Sequence, residues 1–61
     1  MKNSLFNLIN QLTQELKSAH RIREVYLEES QSEEETEMWE AMLTSKETYI
    51  ANLTSLTKSL M

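Results

Sequence analysis

The sequence predicts an all-α fold, a two-helix antiparallel hairpin assembling into a four-helix bundle. Three observations predict it. The 61 residues include no Gly and no Pro, the residues that punctuate turns and strands. Apolar residues recur at three- and four-residue steps in both halves of the chain, the period of an amphipathic helix. Between those halves lie ten residues, Glu28 to Glu37, without one apolar side chain. The chain is short enough to be one domain, a single hairpin over residues 1–61.

The first helix is expected over about residues 4–29, starting near Asn3 or Ser4, either of which can cap exposed amides. Leu5, Leu8, Ile9, Leu12, Leu16, Ala19, Ile22 and Tyr26 form its apolar stripe, widened by Val25 and Leu27 near the end. Glu28 and Glu29 fall where the helix dipole prefers cations, and no Gly follows to cap the helix, so fraying is expected there. The tip occupies about residues 30–32. Ser32 and Glu35 have the spacing of a capping box for a second helix over about residues 33–60. Glu33, Glu34 and Glu35 then sit in its first turn, where negative charge is favoured. Its stripe is Met38, Trp39, Met42, Leu43, Tyr49, Ile50, Leu53, Leu56 and Leu60. Lys46 interrupts it and can lay its stem along the seam with its ammonium in water.

One continuous rod is the rival architecture, and phase argues against it. The frame Leu5, Leu12, Ala19, Tyr26 continues to Glu33, Glu40 and Glu47. The second half instead follows Trp39, Lys46, Leu53 and Leu60, one residue out of frame. A rod would also leave about three turns without an apolar contact.

Charge is segregated along the chain. The net charge of -4 divides into +3 over residues 1–23, -8 over 24–40 and +1 over 41–61. The strongest field is negative, which argues against nucleic acid as a partner. The opening residues make a poor secretory signal, and no stretch approaches the roughly 20 apolar residues of a membrane span. A cytoplasmic chain is expected. The glycosylation-like triplet Asn52-Leu53-Thr54 is then a chance match.

Catalysis is not expected. The single His and the absence of Cys leave no paired nucleophile and base, and no Gly-rich loop is present to hold phosphate. His20, Glu24 and Glu28 share a helix face that could hold a metal, which makes a metal-binding bundle one alternative. Di-iron bundles use a Glu-x-x-His step, however, and the position three before His20 is Lys17. The acidic tip lacks the Asp and Gly of a calcium loop. No metal or other cofactor is therefore assigned. Lys17, His20, Arg21 and Arg23 make a modest basic patch that could meet an acidic tip or an anionic surface.

The stripes are what remain to carry function. A two-helix core without a staple can scarcely offset the cost of ordering the chain, about 1.5 kcal/mol per residue. A homodimer, or a complex with another helical protein, is expected, with two hairpins burying both flanks in a four-helix bundle. The candidate partner-binding residues are Leu12, Leu16, Ile22, Tyr26, Trp39, Met42, Tyr49, Ile50, Leu53 and Leu56, with Trp39 and Tyr49 as aromatic anchors.

Leu16-Lys17-Ser18-Ala19, Ser30-Gln31-Ser32-Glu33-Glu34, Trp39 and Glu40-Ala41-Met42 resemble a family of small helical proteins of unknown function from spore-forming Gram-positive bacteria. The likeness runs ungapped from about Leu16 to Leu56. It implies a small, spore-associated helical protein and brings no catalytic motif. Trp39, Tyr49 and Ile50 on the second helix also resemble the anchors of the small helical-hairpin chaperones of type III secretion. That likeness implies a co-chaperone that folds on a helical partner.

Overall fold

The computed structural model describes residues 3–61 and contains two long helices and no strand among them. Helix α1 spans Asn3–Arg21 and helix α2 spans Glu33–Leu60. The molecule measures 45 × 15 × 14 Å. The 28 residues of α2 alone span about 42 Å at the helical rise. The long axis is thus one helix long, and the chain folds back once, as the phase argument expects. Asn3 and Ser4 lie within α1, so its capping position falls outside the described residues.

Helix α1 does not continue as an α-helix to about residue 29. Ile22–Tyr26 form a π turn, in which the Leu27 amide donates to the Ile22 carbonyl at 3.0 Å. A π turn fits one extra residue into a helical turn. Ile22 is buried, Tyr26 and Leu27 are half-buried, and Val25 is turned outward. Regular α geometry would spread those side chains over a wider arc. The backbone ladder then runs on into the tip. The Glu29 amide donates to the Val25 carbonyl at 3.0 Å and the Ser30 amide to the Leu27 carbonyl at 3.4 Å. Residues expected to fray are thereby hydrogen-bonded. No described residue has positive φ, so the reversal needs no glycine.

Ser32 is extended (φ -151°, ψ 160°) and caps α2, its Oγ accepting from the Glu35 amide at 3.1 Å. The return arm departs from a capping box. Glu35 Oε1 accepts from the Gln31 amide at 3.1 Å rather than from Ser32, and Oε2 accepts from the Trp39 indole at 3.3 Å. The Ser30 and Thr36 hydroxyls lie 2.7 Å apart, each within bonding distance of the Ser32 carbonyl. A polar tip without apolar contacts is held by this network.

The seam between the helices is thin. Among described residues, Ala19 and Ile22 are the buried apolar side chains, and Thr57 is the buried polar one. Halfway along, Lys46 Nζ donates to Glu15 Oε1 at 3.1 Å, with side chains 21% and 15% exposed. Gln11 Nε2 holds the other carboxylate oxygen at 2.8 Å. Lys46 is therefore paired across the seam, more enclosed than a side chain that merely snorkels.

Candidate functional site

The ten candidate residues fall into two groups. Leu12, Ile22, Tyr26, Trp39, Ile50 and Leu53 are buried or half-buried and belong to the seam. Their burial comes from the single chain. The Tyr26 and Trp39 rings close the tip end, with centroids 4.8 Å apart and planes tilted by 40°, an arrangement that adds to simple burial. Trp39 is held twice, by Tyr26 and by Glu35. The other four, Leu16, Met42, Tyr49 and Leu56, point outward, and Tyr49 and Leu56 are 57% and 53% exposed. Trp39 and Tyr49, paired as anchors in the sequence, thus have different surroundings.

The outward residues form two flanks. On α2, Met38, Met42, Tyr49, Leu56 and Leu60 are all exposed and share one side of the helix. On α1 the corresponding flank holds Ile9 and Leu16, with Phe6 beside them. These flanks lie on opposite faces of the hairpin. Tyr49 and Leu56 border a shallow groove with Gln11 and Glu15. At about 100° per residue, Gln11 and Glu15 lie on one side of the α1 seam and Ile9 and Leu16 on the other. In this geometry a single face-to-face contact with a second hairpin would cover one flank.

Total accessible surface is 4769 Å². A compact monomer of this mass, 7.2 kDa, would expose about 4,100 Å². The excess goes with the elongated 45 × 15 × 14 Å shape of the hairpin.

The basic patch also divides. Lys17, His20 and Arg21 line an open groove with Leu16 and Val25. Arg23 instead approaches Glu47 of α2 at 3.5 Å, an exposed pair. No three His, Cys, Asp or Glu side chains gather in metal-holding geometry among the described residues. The i, i+4 face of His20, Glu24 and Glu28 runs into the π turn, which takes it out of α-helical phase. No described helix is long and apolar enough to cross a membrane.

Reasoning from sequence did not select Met38 and Leu60 for partner binding, although both lie in the α2 stripe. It also missed Glu15 as the partner of Lys46. Nothing in the sequence marked that pairing, because the register between the two helices depends on how the tip folds. No family model matches the chain, and no curated protein or solved structure matches it either.

Proposed function

We propose that the protein is a helical interaction module that self-associates through apolar flanks its own fold leaves uncovered. The observation that carries this reading is the exposed row Met38, Met42, Tyr49, Leu56 and Leu60 on α2. Large contiguous apolar surface on a small helical protein marks a binding face. The thin seam supports the same reading, since two buried apolar residues among those described make a small core for a chain of this length. The module acts by presenting surface, with Trp39 and Tyr26 bracing the hairpin from inside and Tyr49 anchoring the partner. Size-exclusion chromatography with light scattering tests it. An oligomer is expected, and a well-folded monomer at micromolar concentration would overturn it.

A further inference from the structure

We propose that the α2 flank is the homodimer face, and that two copies pack it antiparallel about a two-fold axis through Tyr49. This rests on the self-association proposed above and specifies its geometry. Two observations support it. The exposed large apolar residues of α2 are Met38, Met42, Tyr49, Leu56 and Leu60, separated by four, seven, seven and four positions. The series is symmetric about Tyr49. In an antiparallel pair Met38 meets Leu60 of the second copy, Met42 meets Leu56, and Tyr49 meets its own counterpart. An isologous contact requires such self-complementarity when the helices run in opposite directions. A parallel pair matches any stripe with itself and needs no symmetry of spacing.

Charge selects the same direction. Glu33, Glu34, Glu35 and Glu37 crowd one end of α2, whereas Lys58 lies near the other. Parallel packing would bring two such acidic ends together, a like-charge juxtaposition that disfavours the pair. Antiparallel packing separates them by about the 42 Å length of the helix and opposes the helix dipoles. The α1 flank with Ile9 and Leu16, on the opposite face of each hairpin, is left on the two outer sides of the dimer.

The chain has no cysteine, so single cysteines report proximity cleanly. Tyr49→Cys lies on the axis and is expected to give a disulfide-linked dimer under mild oxidation, with helicity retained by circular dichroism. Leu16→Cys, on the outer side, is expected to remain unlinked. Met42→Cys and Leu56→Cys should each fail to link alone and should link to each other when mixed, a test that stands even if Tyr49→Cys fails to fold. Self-linking of Met42→Cys would overturn the antiparallel direction. Linking through Leu16→Cys, with none through the α2 sites, would overturn the face while leaving self-association intact. A light-scattering mass of one chain for the unmodified protein would overturn both.

Discussion

Thr57 is 8% exposed, and its Oγ1 has no hydrogen-bond partner. Three residues earlier, Thr54 satisfies the same group by donating to the Ile50 carbonyl at 2.7 Å. An unpaired buried hydroxyl costs about 1–3 kcal/mol. Thr57→Val keeps the branched shape and removes that group. It is expected to stabilise the protein by about 1 kcal/mol, raising the thermal midpoint by about 4–8 °C in a domain of this size. The Glu15–Lys46 pair is the opposite case, a polar contact that is satisfied but enclosed. Removing one member strands the other, so Glu15→Ala and Lys46→Ala are each expected to cost about 1–3 kcal/mol. Replacing both with Leu should cost less than either single change, because the seam becomes uniformly apolar. Chemical denaturation of the singles and the double measures this. The exposed Arg23–Glu47 contact should contribute under about 1 kcal/mol.

Among the elements, the tip shows what one residue can hold. Ser32 caps a 28-residue helix whose first turn carries three Glu. Ser32→Ala removes the acceptor for the Glu35 amide and is expected to cost about 1 kcal/mol, read as a lower denaturation midpoint. The existence of both helices was legible because their apolar residues repeat at 3.6-residue spacing. The α2 start was legible because Ser32 stands three before Glu35. The π turn was not. Ile22–Tyr26 contains no residue type that demands an i+5 hydrogen bond, and the turn is chosen by packing. Apolar side chains at both four and five residues after Ile22 were its trace in the sequence. Glu35 was read as one half of a reciprocal cap, whereas the structure turns it toward Gln31 and Trp39. A local pattern cannot show that a ring four residues later competes for the same carboxylate.

For the whole molecule, the proposed self-association rests on the division between seam and outer flank, and that division was only half legible. Both stripes could be read, but each was wider than one neighbour can cover. Which edge of a stripe meets the other helix depends on the rotation of two helices about their axes. That rotation is set by details such as the Lys46 pair and the widened turn at Ile22. It leaves Met42, Tyr49 and Leu56 outward on one face and Leu16 on the other. Solution molar mass across a micromolar concentration range tests the central claim most directly. Self-association through the α2 flank predicts twice the 7.2 kDa of the chain, falling toward one chain only on dilution. A helical, cooperatively melting monomer at every concentration would contradict it.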